Sequence, residues 1–149
     1  MNIKKELYKK CCEFVENKLG HIQKTILEIQ ESLTTETKSS AGDKHETGRS
    51  MLQLEREKVG QQLAETQKLK ETLSRIDVSK PLKAVTTGSL VYTTKANYFI
   101  AISAGEFQIK NSAFYAISAS TPIAQLLLGK AEGDIIRFRE HTFSISQII

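Results

Sequence analysis

The chain has 149 residues, 40% of them hydrophobic and 26% charged, with a formal net charge of +4. That length allows one ordinary domain or two small ones, and the balance is that of a soluble globular protein. No apolar run is long enough to span a bilayer, and the opening Met1-Asn2-Ile3-Lys4-Lys5-Glu6-Leu7 lacks the apolar core of a secretion signal, so a cytoplasmic location without a membrane partner is expected.

Residues 1–78 carry 14 Lys/Arg against 13 Asp/Glu, and residues 79–149 carry 7 against 4. Neither half is basic enough for a dedicated duplex-DNA binder. The mild positive balance suits weak contact with phosphates or with an acidic protein surface. The two cysteines, Cys11 and Cys12, are adjacent. On a helix such neighbours point about 100° apart, so they make a poor metal pair or disulfide. One is expected to pack and the other to be half exposed.

From Ile3 to Glu36 the pattern is helical. Leu7, Cys11, Val15, Leu19, Ile22, Ile26, Ile29 and Leu33 step by alternating fours and threes, which is a coiled-coil seam. Gly20 is a weak point inside it, costing roughly 1 kcal/mol relative to Ala. After Leu33 the seam stops. Thr34 to Gly42 contains no apolar side chain larger than Ala, and its hydroxyls offer the backbone competing bonds, so this stretch reads as a hairpin turn. A second helical arm runs from Asp43 or Lys44 to Ile76, with Leu52, Val59, Thr66 and Leu73 every seven residues and Leu63, Leu69 and Ile76 beside them. Two such arms joined by a short polar turn pack antiparallel. Pro81 disfavours helix at Lys80, which places a boundary at residues 77–82 and modules at 1–78 and 79–149.

Beyond the boundary the period becomes that of strands. Residues 89–94, 97–102, 106–109, 113–117, 133–138 and 142–148 are the candidates, the last two pairing across Arg139-Glu140-His141. Thr121 to Gly129 reads as a short helix, capped by Ser120 or Thr121, with Pro122 in its first turn and Gly129 closing it. Leu126, Leu127 and Leu128 cannot all face one way, so at least one is expected at the surface. Phe99, Phe107, Phe114, Tyr115, Phe138 and Phe143 sit at strand spacing and are expected in the core. The fold class is therefore α+β: an antiparallel helical hairpin, then a small antiparallel sheet with one helix.

Two motifs carry a resemblance. One is Gly42-Asp43-Lys44-His45-Glu46 at the hairpin tip, residues 37–47. The other is Thr121-Pro122-Ile123-Ala124-Gln125-Leu126-Leu127-Leu128-Gly129 followed by Lys130-Ala131-Glu132-Gly133-Asp134. In this order, and over nearly the whole chain, the sequence resembles the bacterial Gre transcript-cleavage factors, which act on RNA polymerase. The resemblance implies a coiled-coil hairpin that enters the polymerase secondary channel and an FKBP-like domain that docks at its rim. It implies a factor that stimulates the polymerase's own Mg²⁺-dependent cleavage of backtracked RNA and is not an enzyme alone. Where the family continues with Asn-Ala-Glu-Tyr after the tip Glu, this chain has Thr47-Gly48-Arg49-Ser50. That departure keeps open a channel-binding inhibitor that does not stimulate cleavage.

Read from spacing alone, Asp43 and Glu46 form a capping box that starts the second arm. Read through the resemblance, they are carboxylates donated to the polymerase active centre to share a Mg²⁺ ion, with no cofactor stably held by the free chain. Mg²⁺ accepts one or two carboxylates when substrate phosphates complete its shell. Lys38, Lys44 and Arg49 flank these acids as solvated charges or as contacts to the 3′ end of the nascent RNA. His45 reads as exposed, and His21 and His141 carry no signal. A monomer is expected. A hairpin with a small β domain that binds some other protein is the remaining reading.

Overall fold

The computed structural model describes the backbone of residues 2–38 and 42–149, and the side chains of residues 2–35 and 47–149. Two long helices, α1 (Ile3–Lys38) and α2 (Gly42–Ser74), pack as a hairpin. Six strands and one short helix follow: β1 (Leu90–Thr93), β2 (Asn97–Ala101), β3 (Gly105–Ile109), β4 (Ser112–Ser118), α3 (Pro122–Leu127), β5 (Ile135–Phe138) and β6 (His141–Ile148). The fold is α+β. Among the described residues no helix is long and apolar enough to cross a membrane.

The 3–4 alternation in α1 does what it predicts. Leu7, Cys11, Val15, Leu19, Ile22 and Ile29 are buried, and Ile26 and Leu33 are half-buried. From α2 the seam takes Val59, Thr66 and Leu73 as buried positions, with Leu52, Leu63 and Leu69 half-buried. Ile22, Ile29 and Val59 form one apolar cluster, flanked by Ile26, Leu33, Leu52 and Leu63. Thr66 is a polar residue in this seam, and its hydroxyl is satisfied within its own helix by donating to the Gln62 carbonyl at 2.7 Å.

The expected turn from Thr34 onward is corrected by the structure: α1 continues to Lys38. The hydroxyls of Thr34 and Thr35 donate to the carbonyls of Gln30 and Glu31, both at 3.0 Å. Back-bonding of this kind lets Thr remain inside a helix where its propensity alone reads as a break. Residues 39–41, the centre of the expected tip, lie outside the described residues. The second arm ends two residues earlier than expected, at Ser74. Asp77 then accepts from the backbone N–H of Ser79 at 3.0 Å and from its hydroxyl at 2.5 Å. These bonds hold its carboxyl below the usual range.

The strand order is β3-β4-β2-β1-β6-β5. All neighbours are antiparallel except β2 and β4, which run parallel with Phe99 opposite Ala116 and Ile100 opposite Ile117. The expectation of a purely antiparallel sheet is corrected at that pair. β4 lies between β3 and β2, and β3 takes the outer position. One face of the sheet packs on α3 through Val91, Ile100, Ile136, Phe143, Ile145, Ala124 and Leu127. Phe99, Phe114 and Phe143 are buried, as expected, whereas Phe107 and Phe138 are only half-buried. Tyr115 is not a core residue: it is 38% exposed, with its ring tilted against Tyr98 at 6.2 Å.

By packing, the chain divides into residues 1–14 with 71–149 and residues 15–70. The junction at 77–82 falls inside the first of these units. Within it, Lys4 is buried and its Nζ donates to the main-chain oxygens of Ile149 at 3.1 Å and Lys80 at 3.5 Å. The Tyr8 hydroxyl donates to the Leu73 carbonyl at 2.7 Å.

Two predictions test this description. A Cβ built on Gly20 meets nothing within 4 Å. Gly20→Ala should therefore stabilise the protein by about 0.5–1 kcal/mol in chemical denaturation, since it removes the helical cost of glycine without a clash. Cys11 is buried, whereas Cys12 is only partly so. Burial, aided by the nearby Cys12, pushes the Cys11 thiol up from 9.0 to about 12. A native chain treated with iodoacetamide at about pH 8 should label Cys12 and spare Cys11. The folded state holds the Cys11 proton more tightly than the unfolded state does. Its contribution to stability is thus complete below pH 9.0 and lost as the pH rises towards about 12, and Cys11→Val should flatten that decline.

Candidate functional site

The sequence points to the junction of the two helices. α2 opens at Gly42, so Asp43 and Glu46 occupy its first turns, three residues apart. That is the spacing of neighbours along one side of a helix. The side chains of Lys38, Asp43, Lys44, His45 and Glu46 lie outside the described residues, and so does the capping-box geometry. Arg49 is described and exposed, as are Thr47 and Ser50, with Gly48 half-buried.

The donor chemistry of Asp43 and Glu46 suits a shared Mg²⁺ and does not make a complete site. Two carboxylates supply part of an octahedral oxygen shell, and water and phosphate oxygens must supply the rest. Elsewhere, among the described residues, no group of three or more His, Cys, Asp or Glu side chains is placed to hold a metal ion.

The second motif is built around α3. Thr121 is the N-cap: its side chain accepts from the Ala124 N–H at 3.3 Å and donates to the Ser118 carbonyl at 2.9 Å. Pro122 starts the helix at a position whose N–H needs no partner. Ala124 and Leu127 are fully buried, Leu126 is 38% exposed and Leu128 is half-buried, so the three leucines divide as their spacing requires. Gly129 leaves the helix at φ 82° and Gly133 turns the loop at φ 89°, both in the left-handed region. Between them the backbone pairs with the segment before the sheet: Gly129 donates to Val85 at 2.8 Å, and Val85 donates to Lys130 at 2.9 Å.

The two acids of this loop have structural work. An Asp134 carboxylate oxygen accepts from the Ala131 N–H at 2.8 Å, and Glu132 accepts from the Ile148 N–H at 3.0 Å. The motif is accounted for by turn and loop chemistry, with Leu126 and the neighbouring Ile135, 71% exposed, left at the surface.

One group of residues escapes sequence reasoning. Lys95, Phe138, Arg139, Glu140 and His141 line a single cavity of about 460 Å³. In sequence, Lys95 belongs to one turn and the rest to another, more than forty residues on. The only available signal is that each turn carries a cation, Lys95 or Arg139, and flanks a strand that becomes the other's neighbour.

Comparison with family models, with curated proteins and with solved structures finds no match to this chain.

The Thr121 cap gives a direct test of how the second motif is held. Thr121→Ala should cost about 1 kcal/mol in urea denaturation, and Thr121→Ser should recover most of it, because Ser caps at least as well as Thr.

Proposed function

We propose that this chain is a Gre-like elongation factor. It binds RNA polymerase through the secondary channel and stimulates the polymerase's own cleavage of backtracked RNA. The reading is supported by one observation above the others: α2 begins at Gly42, which sets Asp43 and Glu46 three residues apart in its opening turns, at the junction of a two-helix hairpin. The order of the parts, hairpin first and mixed sheet with a short capped helix second, is what the resemblance calls for.

The chain's own residues have limited tasks in this scheme. Asp43 and Glu46 present carboxylate oxygens to the partner's active centre. Lys38, Lys44 and Arg49 offer positive charge to RNA phosphates. The sheet unit, through an FKBP-like docking face that includes Leu126, supplies affinity. When bound, Mg²⁺ supplies activation of a water and stabilisation of the leaving oxygen in phosphodiester hydrolysis. Neither acid is a nuclease alone, and none of this chemistry proceeds without the polymerase.

A second reading has its own support in Thr47-Gly48-Arg49-Ser50. The exposed Arg49 puts a cation where the family pattern has an acid. A tip so altered would occupy the channel and slow elongation without cutting.

The decisive experiment combines core polymerase, a backtracked transcript and three proteins. With wild type, the transcript should shorten. Asp43→Asn keeps shape and size but removes the charge, and should lower cleavage about tenfold or more with polymerase affinity unchanged. Its thermal stability should move little, since an acid near a helix N-terminus contributes about 0.3–1 kcal/mol. Glu46→Gln should behave alike. A wild-type chain that binds and slows polymerase without shortening the transcript selects the inhibitor. A chain with no affinity for polymerase removes both readings.

A further inference from the structure

The cavity lined by Lys95, Phe138, Arg139, Glu140 and His141 lies within the sheet unit and is unrelated to the hairpin tip. Three local departures from regular structure meet there. First, the β1–β6 ladder shifts register between Tyr92 and Thr93. Bulges of this kind turn a strand and re-aim its next side chains. Second, the turn after β1 is locked by Thr93, whose hydroxyl donates to the Ala96 carbonyl at 2.6 Å and accepts from the N–H groups of Ala96 at 2.9 Å and Lys95 at 3.2 Å. Third, the two-residue turn between β5 and β6, closed by the pair Phe138 and His141, holds Arg139 at φ 58°. Glycine, asparagine or aspartate is the usual occupant of such a position. A larger residue there carries strain of about 1 kcal/mol or more.

The β1–β2 turn is also fastened to the middle of β6. Thr94 donates its N–H to the Ser144 carbonyl at 3.0 Å, and its hydroxyl accepts the Ser144 N–H at 3.1 Å. The Arg139 guanidinium is steadied over the Phe138 ring, 4.9 Å from its centroid. Lys95, Arg139 and His141 line the cavity from two turns, with a single acid, Glu140, among them. Among the described residues, none of these four side chains makes an ion pair with another. Arg137 is exposed on β5 nearby.

From this we infer that the cavity between the β1–β2 and β5–β6 turns binds a phosphate group carried on a larger molecule. A guanidinium fork and an ammonium are the groups that recognise phosphate oxygens, the first by two parallel hydrogen bonds and the second as a point charge. A cavity of about 460 Å³ exceeds what a phosphate alone fills. The room left over is for the moiety that bears it, a nucleoside or the next units of a polynucleotide.

The test uses the full chain, isotopically labelled, and follows backbone amide signals by NMR. It is titrated separately with inorganic phosphate, ADP and a short single-stranded RNA. Saturable shifts centred on Lys95 and residues 139–141 are expected, with ADP or RNA binding more tightly than inorganic phosphate. Whichever of the two is tighter identifies the source of the phosphate. Arg139→Gly should weaken binding about tenfold while the melting temperature holds or rises, because φ 58° suits glycine. Lys95→Ala should also weaken binding, and Glu140→Gln should strengthen it. Opposite signs at neighbouring exposed positions are not what a structural role produces. The inference is overturned by the absence of saturable shifts at these residues with all three probes. It is equally overturned by shifts spread evenly over every lysine, or by Arg139→Gly and Lys95→Ala binding as the wild type does.

Discussion

The burial of the Lys4 ammonium is the constraint on which the sheet unit depends. An ammonium loses several kcal/mol of hydration when it leaves water, and a fold keeps one inside only by giving it acceptors. Here the acceptors are two main-chain oxygens far apart in sequence, those of Lys80 and Ile149. Ile149 is itself fixed, exchanging backbone hydrogen bonds with Leu90 at 2.9 and 3.0 Å. One side chain near the start of α1 therefore ties the segment after α2 to the centre of the sheet. Burial pulls its pKa below 10.5, and the carboxylate of Asp77 opposes that pull.

That tie explains why packing does not divide the chain between helices and strands. The first turns of α1 and the last residues of α2 belong with the sheet. Tyr8 reinforces this by bonding the Leu73 carbonyl, and Ile76 lies 3.1 Å from the Cβ that a residue larger than glycine would place at Gly88. Gly88 sits at φ 99°, so both its backbone and the space beside it favour glycine there.

Much of this was legible in the sequence because burial and periodicity are coupled. Each seam position named in α1 is buried or half-buried, and each strand begins and ends within two residues of its expected limits. What escaped depends on partners that lie far away in the chain. Lys4 reads as one of several lysines in a charged opening stretch, and nothing local marks it for the interior. The parallel pairing of β2 with β4 is a consequence of β3 taking the outer position, which local propensity does not encode. Thr34 and Thr35 stay helical for a different reason: hydroxyls that can compete with helix bonds here bond the carbonyls of the preceding turn. Of the candidate site, sequence supplied the acids and their spacing, whereas placing Lys95 and Arg139 on one cavity required the β1–β6 pairing to be known.

Burial along the helical seam is uneven. Ile22, Ile29 and Val59 are buried, but Ile26, Leu33 and Leu52 are only half so, and Leu27, Met51 and Leu54 are more than 60% exposed. Burial at about 25 cal/mol per Å² of apolar surface is the main source of interhelical stability. Positions that bury less contribute less to it. In that stretch the Thr34 and Thr35 hydroxyls add local bonds to the preceding turn of α1.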